Sequence, residues 1–236
     1  MVPKVIYEDE HLVVLDKPAG WLTHADGRTA GPTVTDWLLA RYPNLGAVGE
    51  PMPLATSRIA ARPGIVHRLD RETSGALAVA KDQTTYRALR QAFADRLVKK
   101  SYRLLVHGVV KAAAGTINAA IGRSRRDPRR RTVTRRGLIR QAVTEYRVLY
   151  RFSDATYLEA YPETGRTHQL RVHFKSIQHP LVGDRLYTSP SPAVISRTAL
   201  HAYCLELPPA IAPAAAIFIA PLPLDFFTAL ALLREL

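Results

Sequence analysis

The amino-acid sequence predicts an α+β fold, with a mixed and largely antiparallel β-sheet flanked by helices and loops. Two observations support this class. Short apolar segments with the length and composition of strands dominate the middle of the chain. Segments with helical periodicity interrupt them at only a few places. Because strands and helices do not alternate regularly, the pattern favours this arrangement over a doubly wound parallel sheet.

The first predicted elements are two strands and a helix. Residues 5–7 and 12–15 are apolar runs separated by an acidic turn, which predicts a pair of short strands. Residues 33–41 place apolar side chains on one face at helical spacing. Residues 42–63 are rich in Pro, Gly and Ala, and this composition predicts a long surface loop.

The later elements follow from the same two periodicities. Residues 83–95 form a predicted amphipathic helix with Asp82 as its N-cap. Further helices are predicted over residues 168–176 and 223–234. No repeat or linker divides these elements, so we expect a single domain over residues 1–236. The strands predicted after the second helix cover residues 101–110, 115–121, 139–150, 155–161, 200–207 and 216–220.

The composition is that of a globular protein with a substantial core. The chain has 236 residues, 47% of them hydrophobic, and no segment approaches the roughly 20 apolar residues that cross a bilayer. The N-terminus lacks the apolar region of a signal peptide, and Cys204 is the single cysteine. We expect a cytoplasmic location, a monomeric state and no contact with a membrane.

The charge is strongly basic and concentrated in one segment. The chain has 33 Lys and Arg residues against 20 Asp and Glu, and nine arginines fall between Arg123 and Arg140 beside one acid, Asp127. Arginine suits bidentate contact with phosphate, and a patch of this density is typical of nucleic-acid binding. A solubilising basic loop is the alternative. The phosphate contacts that we expect are Arg126, Arg129, Arg130 and Arg131.

The sequence predicts neither a metal site nor a bound cofactor. The chain has no cysteine pair, and His168 and His173 are five residues apart, a spacing that does not bring two ligands to one helical face. Glycine-rich phosphate loops are absent, so a nucleotide cofactor is not expected. A Ser-His-Asp triad stays open, although the chain has no Gly-x-Ser-x-Gly turn.

Residues 67–75, with the sequence His-Arg-Leu-Asp-Arg-Glu-Thr-Ser-Gly, are the most informative segment. Apolar runs at residues 64–66 and 76–80 flank it, which predicts two strands joined by a loop that holds Asp70. Nearby arginines favour the ionised carboxylate, so this acid should stay charged at neutral pH. An ionised carboxylate can act as a nucleophile, an electrostatic anchor or a turn cap.

Two further segments carry polar side chains at separated places. Tyr102 opens a strand directly after two lysines, and Arg166 and Arg171 lie in residues 164–173, a turn that runs into a helix. Taken alone, Tyr102 is typical of a half-buried aromatic residue in a strand, and Arg171 is typical of a solvated residue on a helix. Asp184, in a Gly-Asp-Arg turn, reads as a turn cap.

In this order, the three segments resemble the motifs of the RluA-type pseudouridine synthases. Residues 7–20, 179–187 and 200–202 resemble further family positions, so the similarity covers nearly the whole chain. The resemblance implies the pseudouridine synthase fold, an active-site cleft across the sheet and an RNA isomerase without a cofactor. Many members carry an N-terminal S4 domain; here the matching core begins almost at Met1, and no S4 domain is expected.

The resemblance also implies a role for each matched residue. Asp70 becomes the catalytic aspartate, Tyr102 stacks on the target uracil, and Arg171 pairs with Asp70. The carboxylate either attacks C1′ of the ribose or removes a ribose proton to give a glycal, and both routes stay open. Arg68 resembles the residue that helps to fill the space left by the flipped nucleotide. Contacts to RNA or to the active site are implied for Arg166 and His168.

The target is less defined than the reaction. Residues 121–146 resemble the branch of the family that acts on large-subunit rRNA, so rRNA is the first expected target and tRNA the second. A non-catalytic RNA-binding or ribosome-assembly protein on the same fold is the alternative, although it would not need the Asp-Tyr-Arg set. A glycoside hydrolase would need a second carboxylate, and only Glu72 lies in the same loop.

Overall fold

The computed structural model describes residues 1–235 apart from 26, 28, 51, 54–58, 61, 135–136, 189–193 and 213–215. Within these residues the helices are α1 Val34–Arg41, α2 Gln83–Ala94, α3 Gln169–Ser176 and α4 Leu224–Glu235, with a 3-10 helix at Pro43–Ala47. The strands are β1 Lys4–Glu8, β2 Leu12–Lys17, β3 Met52–Pro53, β4 Ile59–Ala60, β5 Ser74–Ala80, β6 Lys99–His107, β7 Ala114–Asn118, β8 Ile121–Arg123, β9 Arg131–Val133, β10 Ile139–Arg140, β11 Val143–Arg151, β12 Ala155–Pro162, β13 Leu200–Glu206 and β14 Ile217–Ile219. The chain forms two compact units, the first comprising Met1–Lys99 and Ala202–Pro221, the second Lys100–His201 and Leu222–Leu236.

The first unit is built on a sheet in the order β1-β2-β5-β13, with β14 paired to β13. Helix α2 covers this sheet with Tyr86, Leu89 and Ala92, which are buried and recur at three-residue steps. Asp82 caps the helix, because its carboxylate accepts a hydrogen bond from the backbone N–H of Thr85 at 2.8 Å. The predicted helix and its cap are therefore confirmed.

The second unit contains an antiparallel sheet in the order β6-β12-β11-β7. Leu170 and Phe174 of α3 pack in one apolar cluster with Leu104, and Phe226 of α4 packs in another with Leu105. Successive strand residues point to opposite faces, so α3 and α4 cover opposite faces of this sheet.

A separate three-stranded sheet in the second unit carries the arginine-rich segment. Its order is β10-β8-β9, with antiparallel pairing throughout, and we call it the arginine sheet. Ile121 and Val133 of this sheet pack against Val172 of α3, together with Leu186 and Tyr187. The arginine sheet is thus fixed to the helix that carries Arg171.

The predicted α+β class is confirmed, with one strand wrong beside Asp70. Residues 64–66 do not form a strand, and Ile65 makes only an isolated bridge with Val79. Gly64 turns the backbone there with a φ of 64°. A Cβ at Gly64 would lie 2.0 Å from the carbonyl oxygen of Ala80, so only glycine fits.

Two predicted strands are each divided in the structure. Residues 115–121 give β7 and the start of β8, and residues 139–150 give β10 and most of β11. Both breaks lie where the chain passes between the larger sheet and the arginine sheet. There the backbone N–H of Ala119 donates to Ala142 at 3.1 Å. A hydrophobic run cannot show that its two halves belong to different sheets.

The predicted surface loop over residues 42–63 has more structure than expected. It contains the 3-10 helix, in which Leu45 is buried, while residues 51, 54–58 and 61 lie outside the described part. The single domain over residues 1–236 stays a prediction. In the described part of the chain, no helix is long and apolar enough to span a membrane.

Candidate active site

The Asp70 loop, residues 67–75, is held by hydrogen bonds to its backbone. Leu69 is buried, and its N–H and carbonyl both bond the hydroxyl of Thr23, at 3.2 and 2.9 Å. The carbonyl of Asp70 accepts from the N–H of Thr73 at 3.1 Å, which closes a turn. These bonds fix the main chain on both sides of Asp70, which is half-buried.

Lys17 ties this loop to the segment before α1. Its ammonium group is completely buried and donates to the carbonyl oxygens of Pro18, Trp21 and Arg71, at 3.0, 2.8 and 3.2 Å. Gly20 and Arg71 add two bonds, one from each residue to the carbonyl of the other. A buried ammonium is tolerated where its donors meet several acceptors. Lys17 therefore fixes the backbone one residue after Asp70.

The end of the Asp70 loop requires glycine. Gly75 has a φ of +114°, and a Cβ there would lie 2.2 Å from the carbonyl oxygen of Ala202. At the other end, Nε2 of His67 accepts from the N–H of Ala78 at 2.9 Å, and its ring stacks on Phe93. These two contacts hold the imidazole ring of His67 against β5 and α2.

Arg68, which is expected to contact RNA, is exposed. Its Nη1 lies 3.5 Å from Nε2 of His24, which is a long hydrogen bond. His24 itself is buried at 2% exposure. The guanidinium therefore lies at the surface of the first unit, above a buried ring.

Tyr102 lies in the second unit, on β6, directly opposite Ala160 of β12. It is half-buried and packs against the apolar cluster that contains Leu170 of α3. Tyr102 and α3 therefore share one face of this sheet. The expected contact between Arg171 and Asp70 stays a prediction, since these residues belong to different units.

Arg171 is held by a carboxylate that the sequence reading did not connect to it. Its Nε and Nη2 donate to the two oxygens of Asp184, each at 2.7 Å. The Asp184 side chain is fully buried, and that of Arg171 is 11% exposed. Asp184 also accepts from the N–H of Leu186, as the expected turn cap does. Two parallel charge-assisted bonds fix both position and orientation of the guanidinium.

Tyr187 is the second residue that the sequence reading missed. Its ring centroid lies 5.0 Å from Cζ of Arg171, within the range of a cation–π contact. Its hydroxyl is hydrogen-bonded to Nδ1 of His168 at 2.9 Å and accepts from the backbone N–H of Arg131 at 2.7 Å. Three predicted site residues thus meet at one buried ring.

The turn before α3 is organised by a buried amide. Oε1 of Gln169 accepts from the hydroxyl of Thr164 and from the N–H of Arg166, at 2.6 and 3.0 Å. Arg166 donates from Nε to the carbonyl of Gln141 at 3.1 Å. His168 then starts the helix with a φ of 57°. This local geometry directs Arg166 towards the end of the arginine sheet.

The four arginines expected to contact phosphate differ in their partners. Asp127 accepts from Arg129 at 2.8 Å and lies 3.5 Å from Arg130. The bonded guanidinium of Arg129 lowers the pKa of Asp127 to about 2. Arg131 bonds backbone carbonyls in the same turn. Arg126 is exposed and, within the described part of the chain, its guanidinium meets no acidic group.

Among the described residues, no group of three or more His, Cys, Asp or Glu side chains could hold a metal ion. What the geometry offers is a fixed carboxylate loop in one unit. The other unit offers an aromatic strand residue, an oriented guanidinium and an arginine-rich surface. The guanidinium and the arginine-rich surface are groups that bind an anionic substrate.

Comparison with known proteins gives a consistent result. A family model described as RNA pseudouridylate synthase matches residues 11–176. An uncharacterised RNA pseudouridine synthase of Synechocystis sp. is 39% identical, over 98% of this chain and 69% of that protein. The ribosomal large subunit pseudouridine synthases D of Xylella fastidiosa and Pseudomonas aeruginosa are both 38% identical. They match 98% of this chain, and 69% and 72% of their own lengths.

Solved structures agree with these sequence matches. The structure titled "Human RNA Pseudouridylate Synthase Domain Containing 4" has a TM-score of 0.74 at 26% identity, covering 98% of this chain and 92% of its own. This bears out the pseudouridine synthase fold that the motifs implied. The chain therefore belongs to the RNA pseudouridylate synthase family, of the RluA type that its motifs resemble, and is an isomerase that acts on RNA.

Proposed function

We propose that this enzyme converts uridines of large-subunit rRNA to pseudouridine, with Asp70 as its catalytic carboxylate. The observation that carries the choice of RNA is the similarity, at 38% identity over 98% of the chain, to proteins named ribosomal large subunit pseudouridine synthase D. Transfer RNA is the second target. The protein meets its RNA in the cytoplasm, as the sequence leads us to expect.

The reaction needs only groups that this chain supplies. The C1′–N1 bond of uridine breaks, the uracil turns and C5 bonds to C1′. C5 then releases its proton to the solvent and N1 takes one up, so the product is an isomer of uridine and no electron is transferred to an acceptor. Asp70 either attacks C1′ or takes a ribose proton. The proposal includes no cofactor. The backbone bonds of Leu69, Thr73 and Arg71 support this role, because they hold the main chain of the loop on both sides of Asp70.

Tyr102 and Arg171 complete the proposed site. Extruding a base from its stack costs a few kcal/mol, and an aromatic ring can offset part of this by stacking on the base. Tyr102 supplies that ring. Arg171 keeps Asp70 ionised and oriented, because a neighbouring positive charge favours the carboxylate. Arg68, Arg166 and His168 contact the RNA around the extruded nucleotide.

The arginine sheet is the proposed phosphate-binding surface. Arg123 of β8 lies directly opposite Arg131 of β9, and like charges in directly opposite positions destabilise a pair of strands. An RNA phosphate between them would remove that repulsion. Arg126 lies in the turn between these strands, exposed and with no acidic group against it among the described residues.

Two variants separate phosphate binding from simple surface charge. Arg126→Gln removes a guanidinium without an acidic partner, whereas Arg129→Gln removes one that Asp127 already binds. We expect Arg126→Gln to lower the slope of log K against log salt concentration by about one unit, and Arg129→Gln to lower it less. Filter binding to an rRNA fragment at several salt concentrations measures both. Equal slopes for wild type and both variants would mean that this turn does not contact phosphate.

Mapping pseudouridines tests the target. Total RNA from cells that lack the gene is compared with RNA from cells given the wild-type gene or Asp70→Asn. We expect a large-subunit rRNA position that loses pseudouridine in the mutant cells and regains it only with the wild-type gene. Loss confined to tRNA would replace rRNA by the second target. A site restored by Asp70→Asn would contradict the role of Asp70.

A further inference from the structure

Tyr187 contacts both a strand of the arginine sheet and the side chain of Arg171. The hydroxyl of Tyr187 accepts from the backbone N–H of Arg131 at 2.7 Å, and it is also bonded to Nδ1 of His168 at 2.9 Å. Arg131 begins β9, and His168 precedes the first residue of α3. One phenol therefore links a strand of the proposed RNA surface to the start of the helix that carries Arg171.

The ring of Tyr187 reaches Arg171 itself. The guanidinium carbon lies 5.0 Å from the ring centroid, and Nζ of Lys175, one helical turn later, lies 5.5 Å from it. Tyr187 as a whole residue is 5% exposed. In a water-excluded position, a cation over an aromatic face is held more strongly than at an exposed site.

A single turn supplies two of the groups that hold Arg171. The carboxylate of Asp184 binds the guanidinium at two points, and the N–H of Tyr187 donates to the carbonyl of Asp184 at 3.1 Å. The turn thus brings a carboxylate and an aromatic ring to the same guanidinium. The carboxylate fixes the plane of the guanidinium, and the ring limits its movement to one side.

The position of the ring depends in turn on the arginine sheet. Tyr187 belongs to an apolar cluster with Ile121 of β8 and Val172 of α3, against which Val133 of β9 packs. The hydrogen bond from Arg131 fixes the far end of the phenol. A shift of β9 would therefore move the ring of Tyr187, and this would change the contact between the ring and the guanidinium of Arg171.

We propose that Tyr187 is a positioning residue, which sets the orientation of Arg171 and depends on the arginine sheet for its own. The inference rests on the proposed function, because it takes Arg171 as a residue of the active site and the arginine sheet as an RNA surface. Tyr187 does not touch the uridine. It acts through Arg171.

Tyr187→Phe tests this role, because it removes both hydroxyl bonds and keeps the ring in the cluster. We expect kcat for tritium release from 5-tritiated uridine in RNA to fall about tenfold, the size of effect expected when hydrogen bonds that orient a catalytic group are lost. The Kd for RNA should change less than about twofold. An unchanged kcat would contradict the proposal, whether or not the binding of RNA became weaker.

Tyr150→Phe is the matched control. The ring of Tyr150 also lies beside an arginine, with Cζ of Arg234 5.5 Å from the ring centroid. Tyr150 differs in that it lies on β11 and is 47% exposed. This variant should keep wild-type kcat and Kd. If both Phe variants lowered kcat equally, the loss would come from a general effect of removing a phenol.

A double-mutant cycle with Arg171→Lys shows whether Tyr187 acts through Arg171. Lysine keeps the charge but cannot bind Asp184 at two points. In the Arg171→Lys background, Tyr187→Phe should lower the single-turnover rate less than about twofold, because its route of action is already lost. Independent, multiplying effects would overturn the proposal. An active Asp70→Asn would instead overturn the proposed function, so the two failures are distinguishable.

A spectroscopic measurement gives the same answer without turnover. The Nε–H of Arg171, bonded to a buried carboxylate, should give a resolved and slowly exchanging signal in ¹⁵N-labelled protein. We expect this signal to exchange at least about tenfold faster in Tyr187→Phe and to be unchanged in Tyr150→Phe. Identical exchange in wild type and Tyr187→Phe would mean that the hydroxyl does not fix the guanidinium.

Discussion

The Asp70 loop is fixed through its backbone, whereas Arg171 is fixed through its own side chain. Thr23, Thr73 and Lys17 bond main-chain atoms of the loop on both sides of the acid. Arg171, in contrast, is held at its guanidinium by Asp184 and by the ring of Tyr187. Two residues of one proposed site can therefore be oriented in different ways, one through main-chain hydrogen bonds and the other through contacts of its side chain.

The difference matches the proposed roles. A carboxylate that forms or breaks a covalent bond changes partners during the reaction, and the backbone bonds of its loop can persist while it does so. A guanidinium that only stabilises charge gains from being rigid, because preorganised charges cost no reorganisation at the moment of reaction. The variants below break each kind of support separately.

Among the variants that break the support of a site residue, Asp184→Asn should have the largest effect, because it removes the buried charge that holds Arg171. Losing one partner of a buried ion pair costs about 3–5 kcal/mol, and a misplaced guanidinium should lower kcat roughly a hundredfold. Urea unfolding and single-turnover kinetics measure these effects. Asp225→Asn is the control, since Asp225 binds Arg197 in a second Arg–Asp pair with a carboxylate that is 41% exposed. Equal losses in both variants would mean that Asp184 has no special role.

Lys17→Met should come next, because it breaks the backbone support of the Asp70 loop. Three carbonyl oxygens lose their charged donor, which is buried, and this should lower the free energy of unfolding by about 3 kcal/mol. Lys4→Met changes an exposed lysine of β1 and should change it by less than about 0.5 kcal/mol. A stable Lys17→Met protein with wild-type unfolding would show that the loop is held by other contacts.

Acidification should loosen the helix of Arg171 by a smaller amount. His173 on α3 is fully buried between Thr144 and the carbonyl of Ala119, and burial lowers its pKa below the ordinary 6.5. As the pH falls below about 6.5, the unfolded chain takes up the proton first, so the free energy of unfolding decreases. The dependence should flatten in His173→Gln.

The control for this pH effect is His11→Gln. The His11 side chain is 61% exposed and bonds Asp82 in the first unit. Thermal midpoints at pH 7.5 and pH 5 compare the three proteins. If the pH dependence of the wild type persisted in His173→Gln and disappeared in His11→Gln, it would come from His11 in the first unit, which would contradict the role of His173.

The sequence was sufficient where the interactions are local. Asp82 and the buried positions of α2 repeat at helical spacing, and the paired strands β1 and β2 follow from two apolar runs. The order of the motifs also identified the family. The helix and the strand pair depend on neighbours within about ten residues, which a sequence pattern can record.

The sequence was insufficient where partners come from distant segments. Asp184 lies 13 residues from Arg171, and the hydroxyl of Tyr187 bonds a residue 56 positions away. No periodicity links such pairs. The break between β10 and β11 was missed for a related reason, because Ala142 is apolar and fully buried and so continues the hydrophobic pattern through the point where the sheet changes.

The most direct test of the central claim is tritium release from 5-tritiated uridine in RNA by Asp70→Asn and by Glu72→Gln. Both changes neutralise an acid of the same loop, and the Glu72 side chain is 47% exposed. We expect Asp70→Asn to bind RNA normally and to lose on the order of 10⁴-fold in the single-turnover rate, while Glu72→Gln stays within about twofold of wild type. Release by Asp70→Asn at the wild-type rate would contradict the assignment of Asp70 as the catalytic carboxylate.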